Sequence, residues 1–192
     1  MTMARTPSPP RDRRRLEFTV RPTGVTLIEL CVAMAVAAIL AAIAVPSYKA
    51  QMKRQRVDTV MHLLTSHLAS ARVTAITHNV PVIVCPSHGD GRCRQDSDWS
   101  ANWLMFRDPD GDRQPDQDID IYRNEQAPRD PRLRILSTHG RPYVRYQPNG
   151  LSYGSNLTIR VCYDGETAGS IVINNTGRAR SVRSQAATAC GN

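Results

Sequence analysis

The stretch RPTGVTLIELCVAMAVAAILAAIAVPSYK, residues 21–49, decides the fold of this 192-residue chain. From residue 25 to residue 45 it is apolar except for Thr26 and Glu29. A helix that rises about 1.5 Å per residue crosses a hydrocarbon core of about 30 Å over such a length. A carboxylate at that depth is costly and usually has a partner. We therefore predict a membrane helix in which Glu29 has a specific function.

A basic segment precedes the apolar one. Residues 1–24 contain six arginines and two acids, and such a flank stays on the cytoplasmic side of a membrane helix. A secretory signal peptide has the same order of segments, and the AIA at 42–44 resembles its cleavage site. The apolar segment is long for a signal peptide, however. Neither a signal peptide nor an ordinary anchor explains Glu29.

The helix is predicted to continue beyond the membrane as an amphipathic segment. Apolar residues recur there at intervals of three and four, as on one face of a helix: Val57, Val60, Met61, Leu64, Leu68, Ala71 and Ala75. Pro46 removes one backbone hydrogen bond and should kink or loosen the helix. We expect a helix from about residue 25 to residue 77, with its second half packed on a globular domain.

The rest of the chain is predicted to form short antiparallel strands. Segments rich in β-branched and aromatic residues lie between turn signals at 80–86, 102–108, 119–124, 133–137, 143–147, 156–164, 169–175 and 178–183. A long helix packed on such strands is an α+β fold.

The cysteines indicate an oxidising compartment. Cys31 lies in the apolar segment, and four others follow it: Cys85, Cys93, Cys162 and Cys190. Four cysteines permit three pairings, and a four-thiolate zinc site would need close CxxC pairs that are absent. Disulfides are therefore favoured, which places the domain outside the cytosol.

Gly24 followed by VTLIEL and an alanine-rich run resembles the processing site of type IV pilins and type II secretion pseudopilins. The resemblance implies that a prepilin peptidase cuts between Gly24 and Val25 and methylates the new amine of Val25. It also makes Glu29 the assembly residue, paired with the N-terminus of a neighbouring subunit. Most members have phenylalanine where this chain has Val25.

The later motifs VIVCPSHGDGRC, NWLMFRD, TIRVC and TGRAR resemble the GspH/FimT branch of minor pilins and pseudopilins. This resemblance implies the pairings Cys85–Cys93 and Cys162–Cys190. It implies four segments: a removed leader at 1–24, a membrane and assembly helix at 25–45, an amphipathic helix at 46–78, and a β-rich domain at 79–192. The chain would start as a single-pass inner-membrane protein with a cytoplasmic N-terminus. It would then join a cell-surface pilus with the major pilin and other minor pilins, its C-terminal domain periplasmic or extracellular.

The C-terminal end is basic and suggests a polyanionic partner. If 177–183 is a strand, Arg178 and Arg180 lie on one face about 7 Å apart, which suits contacts with phosphates. Gly177 would let this turn lie close to a ligand. The letters GRAR match the GRxR motif with which FimT-like minor pilins bind extracellular DNA in natural transformation. Carried over, the motif makes Gly177, Arg178 and Arg180 the DNA-binding residues, and we add Arg183.

Double-stranded DNA is the expected partner at this end. Nothing in the sequence reads bases, so binding should be independent of sequence and sensitive to salt. The alternative is that the arginines only protect a strand edge from association. The sequence does not show whether three further arginines join them: Arg141, Arg145 and Arg160.

An acidic loop lies at 108–120. Asp108, Asp110 and Asp112 alternate in a way that can hold Ca²⁺, but the glycine and the closing glutamate of a calcium loop are misplaced. A solvated acidic turn is favoured, with no metal. No catalytic constellation or nucleotide fingerprint is visible, so neither an enzyme nor a cofactor is expected.

Together these features predict a minor type IV pilin, at the tip or within a pilus, that takes up DNA. The alternative is a GspH-like minor pseudopilin of a type II secretion system, structural and without a DNA role.

Overall fold

The structure is a computed structural model that describes residues 24–154, 156–186 and 188–191. Apart from Gly24, the predicted leader lies outside the described residues. The chain divides into two compact units, with the boundary between Val45 and Pro46. In the first, residues 27–45 are helical and exposed throughout, and this part of the helix is long and apolar enough to cross a membrane.

The helix α1 has the bounds Leu27–His78, and its part from Pro46 onward belongs to the second unit. Eight strands follow it: β1 Val82–Ser87, β2 Asn102–Arg107, β3 Ile121–Gln126, β4 Leu133–Ser137, β5 Val144–Tyr146, β6 Leu157–Tyr163, β7 Glu166–Ile173 and β8 Ala179–Arg183. A single 3-10 turn, Asp118–Asp120, precedes β3. Each of the eight predicted strands is present, with ends shifted by up to three residues.

The strands form two antiparallel four-stranded sheets. The first has the order β3-β2-β1-β5, and the second has the order β4-β6-β7-β8. The C-terminal part of α1 buries the predicted stripe, all seven residues of it, together with His67. The α+β prediction is therefore confirmed, because a period of three and four residues leaves one helix face for the core.

The core lies between α1 and the inner faces of both sheets. Its largest fully buried side chains include Trp99 and Trp103, and the indole of Trp103 donates a hydrogen bond to the carbonyl of Trp99 at 2.8 Å. Two tryptophans and an aliphatic majority thus fill the interior of a chain with few aromatic residues.

The two implied disulfides are confirmed. Cys85 is bonded to Cys93 and Cys162 to Cys190, with Cα atoms 5.6 and 6.0 Å apart. The zinc alternative is thereby ruled out for these four thiols. The second disulfide holds the C-terminal residues against β6, and the amide of Cys190 also donates to the carbonyl of Gly165, in the β6–β7 turn, at 2.9 Å.

Candidate nucleic-acid interface

The turn between β7 and β8 fixes the position of the GRAR segment. Gly177 is buried and has a φ of +75°. Its amide donates to the carbonyl of Asn174 at 2.8 Å, which closes the turn. The strand β8 begins at Ala179 and not at residue 177, because the backbone at Gly177 is left-handed and not extended, so Arg178 belongs to the turn.

Gly177 packs against protein, in contrast to the expectation that it faces a ligand. A Cβ at this position would lie 2.2 Å from the carbonyl oxygen of Gly150 and 3.4 Å from the ring of Tyr146. Gly150 in turn rests on α1, since a Cβ there would lie 2.8 Å from Ile76. The glycine therefore allows the turn to pack closely on the β5–β6 loop, which contains Gly150.

Arg178 and Arg180 are both exposed at this turn. Arg180 lies opposite Val172, whose side chain points away from the core since Ile171 and Ile173 point into it. Among the described residues neither arginine forms an ion pair with a carboxylate. Two uncompensated guanidinium groups on a fixed turn suit bidentate contacts with phosphates.

Arg183 lies on the other face of β8. Its register partner is Gly169, which is buried on the helix side of the sheet. Arg183 forms an ion pair with Asp58 of α1. The structure therefore separates Arg183 from Arg180, as expected of strand residues that differ by three positions.

For three further arginines the sequence does not show whether they join the basic surface, and their surroundings in the structure differ. Arg145 pairs with buried Asp108 at 3.3 Å, and Arg141 donates to the carbonyl of Gly154. Arg160 projects from the outer face of the second sheet, opposite Ser170. It donates to the carbonyl of Gly191 at 2.9 Å.

The acidic loop brings Asp108, Asp110 and Asp112 within 4.8 Å of one another. Asp110 and Asp112 are exposed, as a solvated turn requires, but Asp108 is fully buried. Burial raises the pKa of Asp108, and the neighbouring carboxylates raise it further, while Arg145 lowers it. Arg145 therefore supplies a positive charge to the buried carboxylate of this loop.

One residue of this region, Arg134, was not among our candidates. It is exposed on β4 and lies opposite Cys162 on the outer face of the second sheet. The alternation of apolar and polar residues in LRILS places its side chain on the outer face. The pairing of β4 with β6, which brings it near Arg160, was not readable from the sequence.

A long helix, α1, with an exposed apolar first part and a second part packed on antiparallel sheets defines a protein of the type IV pilin class. The N-terminal residues 21–45 match the prokaryotic N-terminal methylation motif. Residues 61–177 match the family described as type II transport protein GspH. The chain belongs to this GspH family, within the type IV pilin and pseudopilin superfamily.

Two solved structures support the fold. The type IV minor pilin FimU of Pseudomonas aeruginosa strain PAO1 is similar, with a TM-score of 0.59 and 17% identity over 72% of this chain and 98% of that one. A second crystal form of FimU gives a TM-score of 0.54 and 17% identity over 70% and 99%. No curated protein sequence matches the chain. At such identity the likeness to FimU shows the fold alone.

Family membership defines the general role. The chain is a minor pilin or pseudopilin that associates with other pilins, is anchored by its apolar helix, and is a substrate of the prepilin peptidase through its methylation motif. Proteins of this class are structural in general, and no enzyme activity is implied.

Proposed function

We propose that this chain is a minor type IV pilin that binds double-stranded DNA outside the cell through Arg178 and Arg180, for uptake in natural transformation. The observation that carries the proposal is a pair of exposed arginines beside the turn held by Gly177, neither of which has an ion pair in the part of the chain that the structure describes. A fixed backbone lowers the cost of ordering these side chains on a ligand.

The contacts are to phosphates and not to bases. In the described part of the domain from Pro46 onward, no helix is free to enter a groove, since the C-terminal part of α1 packs on the sheets. Binding is then independent of sequence and driven by release of counterions, so that affinity falls steeply with salt. Arg183 projects from the opposite face of β8 and forms an ion pair with Asp58. We therefore do not count it among the primary contacts. Several copies displayed on one filament would strengthen weak single contacts.

A gel-shift titration tests the proposal. Protein cleaved after Gly24 and held in nonionic detergent is titrated against a short DNA duplex at several salt concentrations. Cleaved protein is needed because residues 1–24 carry six arginines of their own. We expect Arg178→Ala/Arg180→Ala to abolish most binding and to lower the salt slope by about 2, near 0.9 for each lost phosphate contact.

The matched control removes two exposed arginines elsewhere, Arg123→Ala/Arg129→Ala. This variant has the same net charge and should bind as the wild type does. Wild-type protein that fails to bind at low salt contradicts the proposal. If both double variants lose the same amount of DNA binding, the loss reflects the change in net charge, and the assignment of the site to Arg178 and Arg180 is contradicted.

The second candidate is a structural subunit of a type II secretion system. It is favoured by the family match over residues 61–177, whose description names type II transport. Deleting the gene separates the two. A transformation defect with normal secretion supports the DNA-binding pilin, and a secretion defect with normal transformation supports the pseudopilin.

Under either candidate we propose that Glu29 directs assembly by pairing with the N-terminal amine of a neighbouring subunit. Glu29→Gln would leave that amine unpaired among apolar helices, at a cost of about 2.5 kcal/mol or more. Incorporation into filaments should fall more than about tenfold, while cleavage after Gly24 continues. Quantitative immunoblots of sheared filaments and the mass of the membrane form measure the two steps. Cys31→Ser, two residues away, is the control, and normal filament incorporation of Glu29→Gln would refute the role.

A further inference from the structure

The outer face of the second sheet carries positive charge beyond the β7–β8 turn. We define this face by the strand residues whose side chains alternate away from the core: Arg134, Leu136, Thr158, Arg160, Cys162, Ser170, Val172, Arg180 and Val182. Three of these nine residues are arginines and none is a carboxylate. The core-facing positions of the same strands are occupied by apolar residues such as Ile159 and Ile171.

The strand register arranges the three arginines in a diagonal. Arg134 is level with Cys162, two residues along β6 from Arg160. Arg160 is level with Ser170 on β7 and with Val182 on β8. Val182 lies two residues along β8 from Arg180. With strands about 4.8 Å apart and about 3.4 Å per residue, neighbouring Cα atoms on this diagonal are about 8 and 12 Å apart. The line of about 20 Å corresponds to about six base pairs of axial rise.

Between the arginines, the outer face of the second sheet carries exposed apolar side chains, which is unusual for a sheet face in contact with water. Val172 and Val182 are 40% and 53% exposed; Val172 lies opposite Arg180 on β7, and Val182 lies two residues from Arg180 on β8. The side chains between the arginines are neutral or apolar, and the carboxylates of Asp96 and Asp98 lie beyond Arg134, at the β4 edge of the sheet. By contrast, exposed Arg123 of the first sheet has Glu125 at 3.2 Å.

Arg160 is also held in position. Its Nη2 donates to the carbonyl of Gly191, and the C-terminal residues are fixed there by the Cys162–Cys190 disulfide. Its Nε is buried and has no hydrogen-bond acceptor among the described residues. The guanidinium group is therefore oriented by the tail, and within residues 24–154, 156–186 and 188–191 it forms no ion pair with a carboxylate.

We infer that Arg160 and Arg134 extend the DNA-binding site of Arg178 and Arg180 into a diagonal track for one phosphate backbone across the outer face of the second sheet. This inference rests on the proposed DNA-binding function. It names the duplex backbone as the ligand of the whole face, and it leaves Arg183 outside the site because Arg183 projects from the opposite face of β8. Methyl groups of Val172 and Val182 would lie against deoxyribose.

The test is the salt dependence of binding by cleaved protein in nonionic detergent, using the same short duplex. Arg134→Ala and Arg160→Ala should each weaken binding about tenfold at low salt and lower the salt slope by about 1. Arg160→Lys, which retains the charge, should recover most of the slope. Arg123→Ala is the control of equal charge on the first sheet and should bind as the wild type does.

The outcomes separate this inference from the proposed function. If Arg178→Ala/Arg180→Ala loses binding while Arg134→Ala and Arg160→Ala match the wild type, the track is overturned and the DNA-binding turn stands. The track is also overturned if Arg123→Ala weakens binding as much as they do. If the wild type does not bind at low salt, both proposals fail. Circular dichroism of Arg160→Ala checks that the fold is intact, and Arg134→Ala, at an exposed position, tests the track independently.

Discussion

Replacing Arg145 with methionine should destabilise the domain by about 3–5 kcal/mol at neutral pH, a large part of the stability of an ordinary domain. Asp108 is fully buried and has Arg145 as its counter-ion at 3.3 Å. Methionine fills a similar volume but leaves a buried carboxylate without a positive partner. Urea unfolding followed by the fluorescence of the buried tryptophans measures the loss.

The loss should depend on pH. Burial raises the pKa of Asp108 above its ordinary value, and Arg145 opposes that shift. An acid whose folded-state pKa exceeds its unfolded value destabilises the fold when it is ionised. That penalty is complete above the folded-state pKa and disappears below the unfolded value. The deficit of Arg145→Met relative to wild type should therefore shrink as the pH falls from neutral toward the ordinary pKa of an aspartate.

Two variants control this prediction. Asp108→Asn in the Arg145→Met background removes the unpaired charge and should recover most of the stability. Arg123→Met breaks the exposed pair with Glu125 and should cost less than about 1 kcal/mol. A cost for Arg145→Met no larger than that of Arg123→Met would show that the buried pair is unimportant.

Gly177→Ala should destabilise the domain by about 2–5 kcal/mol and reduce DNA binding although every arginine remains. The left-handed conformation alone costs alanine about 1–2 kcal/mol. The remainder comes from overlap with the carbonyl of Gly150, 2.2 Å from the new Cβ, which forces the backbone to move. Unfolding and gel-shift measurements on the same preparation report both effects.

Gly140→Ala is the matched control. Gly140 has a φ of +74°, almost that of Gly177, but nothing lies within 4 Å of an added Cβ. Its cost should be the conformational part only, about 1–2 kcal/mol, with DNA binding unchanged. The difference between the two variants isolates the contact with Gly150. If the two variants cost the same, the packing role of Gly177 is refuted.

Some parts of the molecule can be predicted from the sequence. The helix and the strands were predicted because their periods of 3.6 and 2 residues are local properties. The face of Arg183 was also accessible, since a residue three positions from Arg180 in a strand must point the other way. We had nevertheless grouped the two arginines by proximity in sequence.

Other features depend on register and long-range packing. The contact of Gly177 with Gly150 joins two turns that are distant in the chain, so the glycine alone suggested only an adaptable turn. The ion pair of Asp108 with Arg145 joins the residue after β2 to β5, and the alternating aspartates in the sequence do not predict it. The alignment of Arg134 with Arg160 likewise requires the pairing of β4 with β6.

The Cys162–Cys190 disulfide has a mechanical consequence. The whole β7–β8 hairpin, with Arg178 and Arg180 near its tip, lies between these two cysteines, which are 28 positions apart. The hairpin is thus part of a covalent ring with both ends attached at β6. A load applied at the hairpin tip cannot peel the edge strand β8 away from a free chain end. The disulfide passes tension instead to β6, an inner strand of the sheet.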